Sequence, residues 1–213
     1  FPDPHHPWDP PREAAQRFDW RGLPVPDGYP GSPEKCLEVL AEKPRHWTEW
    51  YTGEAQFAFE VPPTFVPAET TADRIREVNA MVHAENELID EAIGQVLAYV
   101  KDRGWDADTE IIFTTDHGEF QGDFGMLFKG PYHIEALMHV PLIWRPAPAR
   151  GIASATVAEP VGHVDIAPTI CVAAGLPMPV WMQGTPFPQA NGEGGRERTI
   201  TEWYDTWDGN TVE

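Results

Sequence analysis

The residue types best suited to chemistry stand together in one segment. It runs Thr114-Thr115-Asp116-His117-Gly118-Glu119, then through Gly122, Asp123 and Gly125 to Lys129-Gly130-Pro131-Tyr132. A carboxylate and an imidazole are both good ligands for a divalent cation, so Asp116 and His117 are candidates for a metal site. Gly118 lets the chain turn sharply without a Cβ clash. The glycine-studded loop then brings back one amine, Lys129. Taken alone, Asp-His-Gly also fits a plain turn, because Asp at a strand end often serves only local backbone hydrogen bonds.

The flanking elements decide where these groups can stand. Glu110 to Thr115 is a short β-branched run that reads as a buried strand. In open α/β sheets ligands bind just outside the carboxyl ends of strands, which is where Asp116 and His117 emerge. Ile75, Val78, Val82, Ile89, Ile93, Val96 and Val100 predict a helix over 73–103. Thr70 and Asp73 give it a capping-box-like start and Gly104 its end. Its acidic residues Glu85, Glu87, Asp90 and Glu91 read as a solvated face. A second strand is expected over Val140–Arg145, a third near Val157–Val161 and another over Thr199–Trp203. Short helices are expected over Pro33–Glu42, with Ser32 as N-cap, and Ile166–Ala174, with Asp165 as N-cap and Gly175 following. Residues 1–72, rich in Pro and Trp, read as an irregular excursion whose Trp47, Trp50, Tyr51, Phe57 and Phe59 either form core or line a substrate pocket. Helices alternating with short apolar strands point to an α/β sheet covered on both faces.

Bulk properties narrow the partners. Of 213 residues, 41% are hydrophobic, and the formal net charge is −19. Such a charge argues against nucleic acid or an anionic membrane as a general partner. No run approaches the ~20 apolar residues of a membrane span, and the opening Phe1-Pro2-Asp3-Pro4 is no signal peptide. The chain does not begin with Met and is expected to be cut from something longer, so its compartment is open. Cys36 and Cys171 lie far apart, without a metal or disulfide pattern, and read as inert thiols.

The segment IIFTTDHGEFQGDFGMLFKGPYHIEALMHVPLIW closely resembles the sulfatase family of the alkaline-phosphatase-like superfamily. There an apolar strand leads into S/T-D-H/N-G-E, a glycine-rich loop, K-G, a helix and V-P-L-I. The opening FPDPHHPWDPP resembles the family's P-H-x-P-[FW] segment, the 73–103 helix takes the place of the family helix before the Asp strand, and VGHVDIAPTICVAAGLPMP resembles its V-D-[IL]-x-P-T segment. All four stand in the family's order over residues 1–184.

The resemblance implies roles. Asp116 and His117 would be metal ligands. Lys129 would hold a sulfate oxygen or assist the leaving group, and His5 would contact the sulfate and could act as general acid, with His6 ranked behind it. The implied substrate is a small anionic sulfate ester. The implied cofactors are a divalent metal, Ca2+ first with Mn2+ or Zn2+ open because of His117, and a formylglycine nucleophile. The family's C/S-x-P-S/A-R motif, from which that nucleophile is made, does not occur here: Cys36 is followed by Leu37-Glu38-Val39 and Cys171 by Val172-Ala173-Ala174.

The expected fold is therefore α/β: part of an alkaline-phosphatase-like α/β sandwich with a mixed, mostly parallel sheet. Residues 1–184 would be the second half of the catalytic domain and 185–213 the start of a C-terminal segment. The expected function is metal-dependent sulfate ester hydrolysis in the intact parent, the piece itself being inactive. A phosphonate or phosphate ester hydrolase of the same superfamily, or a catalytically dead binding domain of that fold, are the alternatives. No sequence feature sets an oligomeric state. Exposed sheet edges and apolar surface would predispose the piece to association.

Overall fold

In a computed structural model of the protein, residues 1–56, 61–191 and 196–202 are described. Two compact units form. One comprises Phe1–Tyr99 with His117–Val140, the other Val100–Asp116 with the chain from Pro141 on.

The first unit is helical. A short α1 (Arg12–Ala15) is followed by α2 (Pro33–Leu40), α3 (Arg45–Thr52) and α4 (Ala72–Asp102), whose last turn passes into the second unit. Ser32 caps α2 by accepting the Lys35 N–H at 3.4 Å, with Pro33 opening the helix as its fixed φ allows. α3 lies in the stretch expected to be irregular. Its Trp47, Trp50 and Tyr51 stand at helical spacing and all three are buried, which makes them core rather than pocket. Phe57 and Phe59 lie outside the described residues. α4 starts from Thr71, whose Oγ1 accepts the Arg74 N–H at 3.1 Å, one residue after the expected cap Thr70. Glu85 was expected in solvent but is 3% exposed, because it follows Val78 and Val82 on the apolar stripe. α2, α3 and α4 close on the 120–137 loop through Cys36, Leu40, Trp50, Val82, Phe120 and Leu137. Burial raises the Cys36 thiol pKa, in keeping with an inert residue.

In the second unit β1 (Ile111–Thr114) pairs antiparallel with β2 (Leu142–Arg145), Ile111 opposite Arg145 and Thr114 opposite Leu142. This ribbon is the sheet formed among the described residues, where a mixed, mostly parallel sheet was expected. Its strands are not buried on both faces: Phe113 and its partner Ile143 are 40% and 62% exposed. Val157–Val161 forms no strand and Val157 is exposed, since an extended run gains nothing without a neighbour to pair with. Thr199–Glu202 forms none either, and Trp203 lies outside the described residues.

α6 (Ile166–Ala173) shows what the V-D-I-x-P-T segment is for. Asp165 stands at the expected N-cap position of α6, but its side chain makes no capping bond to the helix. The buried carboxylate accepts the Gly162 and Thr185 N–H groups at 2.9 and 2.8 Å and pairs with Arg196. Thr169 Oγ1 donates to the Asp165 carbonyl at 2.7 Å and accepts the Phe187 N–H at 2.8 Å. Together they staple the 184–187 chain to the helix. Thr169→Val leaves the Phe187 amide buried without an acceptor, so the urea midpoint should fall by the equivalent of about 1–3 kcal/mol.

α5 (Glu135–Met138) lies in the first unit and α7 (Pro188–Asn191) in the second.

Candidate functional site

The first unit brings together two side chains 124 residues apart: Lys129 Nζ stands 2.8 Å from His5 Nε2. His5 Nδ1 lies 2.7 Å from the His6 carbonyl oxygen. A carbonyl only accepts, so the proton of a neutral His5 sits on Nδ1 and Nε2 offers its lone pair to the Lys129 ammonium. The amine therefore points its donors at the place where the imidazole points its unprotonated nitrogen. To act as an acid, His5 must carry protons on both nitrogens.

Lys129 owes its direction to an unusual backbone. Phe128, just before it, has φ 68°, a left-handed conformation that a residue with a large side chain adopts only under constraint. The constraint is aromatic. The Phe128 ring packs edge-on to His6 at 4.9 Å and to Phe65 at 4.9 Å, and stacks on Trp8 at 5.0 Å. One ring thus ties the 5–8 segment to the 128–132 segment. On the far side of Lys129, His46 stacks on Tyr132 at 5.4 Å, and its Nε2 lies 3.2 Å from the Pro131 carbonyl. Sequence reading gave neither Phe128 nor His46 a role. The missing signal was a non-glycine residue forced into positive φ, which only coordinates reveal.

His6 is half-buried, packed edge-on against Phe128, and its ring stacks on His5 at 4.3 Å. It also lines a half-open cavity of about 570 Å³ with Trp8, Trp20, Met81 and Phe128, and with Arg74 and Glu77, which bond each other at 3.1 Å. An apolar cavity with a few polar groups beside converging donors is the usual setting of a small-molecule site.

Asp116 and His117 follow β1. Asp116 accepts the Thr115 hydroxyl at 3.2 Å. His117 Nδ1 lies 2.8 Å from the Gly118 carbonyl, which puts its proton there and leaves Nε2 as the nitrogen a cation could take. These donors fit a cation in type but not in number. Among the described residues no group of three or more His, Cys, Asp or Glu is arranged to hold a metal, and Ca2+ needs six to eight oxygens. Of the other histidines, His139 pairs with Glu135 on α5, and His163 lies in the turn before α6. No helix among the described residues is long and apolar enough to cross a membrane.

A sulfatase profile matches residues 6–176. An uncharacterized sulfatase, YidJ of Escherichia coli, is 26% identical over 86% of this chain and 32% of its own length. Arylsulfatase K of Danio rerio is 33% identical over 54% of this chain and 21% of its own. The chain thus spans a third or less of these curated relatives. Among solved structures, a phosphonate monoester hydrolase from Silicibacter pomeroyi is 29% identical with a TM-score of 0.74, covering 92% of this chain and 37% of that one. A second such hydrolase, from Agrobacterium radiobacter, shares the fold with a TM-score of 0.78 at 24% identity, over 97% of this chain and 41% of that one. The fold is a partial α/β fold of the alkaline-phosphatase-like kind, and the chain belongs to the sulfatase family.

Proposed function

We propose that this chain supplies the anion clamp and half of a cation site to a sulfuric ester hydrolase. Lys129 donates to a non-bridging sulfate oxygen, and His5 contacts the same group; once protonated on Nε2 as well, His5 gives up its bond to Lys129 and protonates the leaving oxygen. His6 closes the apolar side, with the ester's organic group in the cavity beside Trp8 and Trp20. Asp116 and His117 supply two ligands to a divalent cation, Ca2+ by preference, with Mn2+ or Zn2+ admitted by the imidazole. Bound there, the cation would neutralise charge on the sulfuryl oxygens. The nucleophile, a formylglycine in this reading, comes from residues outside this sequence, so residues 1–184 act as part of a catalytic domain and 185–213 begin a further segment.

What supports this reading is the 2.8 Å approach of Lys129 to His5, two basic groups that water alone gives no reason to pair. A phosphonate monoester is the second reading. It is favoured by the 29% identity and TM-score of 0.74 shared with the Silicibacter pomeroyi enzyme. Titrating the chain with 4-nitrophenyl sulfate and with phenyl methylphosphonate, in Ca2+ and in EDTA, separates the two. The expected result is tighter binding of the sulfate, displaced by inorganic sulfate and little changed by Ca2+, because two ligands alone hold the ion weakly, with no turnover. Enzyme-like hydrolysis by this chain alone, or binding of neither ester, would overturn the proposal.

A further inference from the structure

The segment carrying His5 has prolines at 2, 4, 7, 10 and 11 and forms no helix or strand before α1, so something outside it must fix its place. Its internal bonds are short-range: His5 N–H to the Pro2 carbonyl at 3.3 Å and Asp9 N–H to the Pro7 carbonyl at 3.0 Å. The Asp9 amide also bonds the carboxyl of Glu85, reaching from α4. Glu85 is 3% exposed, and its Oε2 is buried without a hydrogen-bond partner among the described residues. An ionised carboxylate with an empty oxygen in such a place is costly, whereas a neutral carboxyl is not.

We infer that Glu85 is a positioning residue for His5: its uncharged carboxyl pins the Asp9 end of the proline-rich segment to α4, and ionisation loosens that hold. The part concerning His5 rests on the function proposed above; the pinning does not. The charged groups facing Glu85 from the segment are Asp3 and Asp9, both acidic. No cation is among them: Arg17, past the end of α1, is engaged with Glu87 and Glu91 of α4 at 3.1 Å each. The Glu85 pKa is accordingly pushed up to about 7, by burial first and then by the charges of Asp3 and Asp9, with the Asp9 amide bond working the other way. The sign follows from the raised value. The neutral form is the one the fold favours, so the hold is complete below the ordinary glutamate range and is lost as pH rises through about 7.

The test is amide exchange of Asp9 in the 213-residue chain at pH 6 and pH 8, corrected for intrinsic rate, beside the affinity for 4-nitrophenyl sulfate. In the native chain, protection of Asp9 should drop about tenfold between the two pH values, the linkage expected for a carboxyl raised from 4.5 to about 7. In Glu85→Gln, which keeps an accepting oxygen and cannot ionise, protection should stay high at both. In Glu85→Ala it should be low at both, with ester affinity reduced at least threefold. Equal protection at both pH values in the native chain, or the native slope persisting in Glu85→Gln, overturns the pinning. Unchanged affinity in Glu85→Ala overturns the positioning of His5. Should a variant not fold, carboxyl carbon NMR of Glu85 in the native chain decides: a midpoint near 7 moving with the Asp9 exchange supports the inference, and an ordinary glutamate midpoint sinks it. Lys129→Ala serves as the control for the function itself. If it leaves ester affinity intact, the clamp reading fails while the exchange data still judge the pinning.

Discussion

Gly118→Ala should destabilise the protein by at least about 3 kcal/mol, the upper end of what overpacking costs, and lower the denaturant midpoint accordingly. A Cβ at Gly118 would lie 1.8 Å from the Ala136 carbonyl oxygen, 2.9 Å from its carbon and 3.0 Å from Leu137 Cα. All three are backbone atoms, so no rotamer change relieves the clash. The approach is held by the Gly118 N–H, which donates to the Leu137 carbonyl at 2.9 Å. Adding the methyl group therefore costs this hydrogen bond or shifts the entry to α5. The effect also reaches the candidate ligand next door, because His117 Nδ1 is oriented by the Gly118 carbonyl. Gly94→Ala is the control. Its Cβ would meet nothing within 4 Å in α4, so it should stabilise the helix by about 0.5–1 kcal/mol. Two glycine-to-alanine changes of opposite sign would separate close approach from helix propensity. A loss below 1 kcal/mol at Gly118 would refute the packing argument.

Gly118 also marks where sequence reasoning reaches its limit. Its presence could be read, but the expected reason was a sharp turn. The observed reason is a backbone passing within van der Waals range, a tertiary fact that local sequence does not encode. Elements whose signal is local were legible: the Ser32–Pro33 start of α2, β1, and α4 to within a residue at each end. The Glu85 error came from sorting by charge instead of phase. Val78, Val82 and Glu85 repeat at four and three, so the burial was written in the spacing. α3 was overlooked because flanking prolines suggested disorder of pattern, although Pro44 and Gly53 bracket its Trp47, Trp50 and Tyr51 as start and stop signals. The strands near 157 and 199 failed for the opposite reason: their apolar residues were real, but strand pairing is non-local. At the candidate site, residue types and order drew attention to His5 and Lys129, while their junction through Phe128 depends on a backbone angle and three ring contacts.

Lys129→Ala should weaken 4-nitrophenyl sulfate binding by about 10–100-fold, the worth of a hydrogen bond from a charged donor. In an enzyme that joins this chain to a nucleophile, the loss in kcat should reach about 10²–10³-fold, as for removal of one preorganised donor to a charged oxygen. Lys129→Arg should restore little, because a planar guanidinium cannot replace a point donor aimed by the Phe128 backbone at His5 Nε2. His5→Ala alone should cost less in binding, since the ammonium survives. The double variant should cost less than the sum of the two, because each residue holds the other in place across 2.8 Å. Phe128→Gly separates direction from charge. Glycine keeps the positive φ freely but removes the ring shared by His6, Trp8 and Phe65, so the amine stays while its anchor goes. If the clamp works by preorganisation, Phe128→Gly lowers affinity at least fivefold with the lysine intact. If charge alone matters, Phe128→Gly binds like the native chain and Lys129→Arg rescues the loss. Isothermal titration of the five variants at one ionic strength distinguishes these outcomes, and additivity of His5→Ala with Lys129→Ala would dissolve the pair as a functional unit.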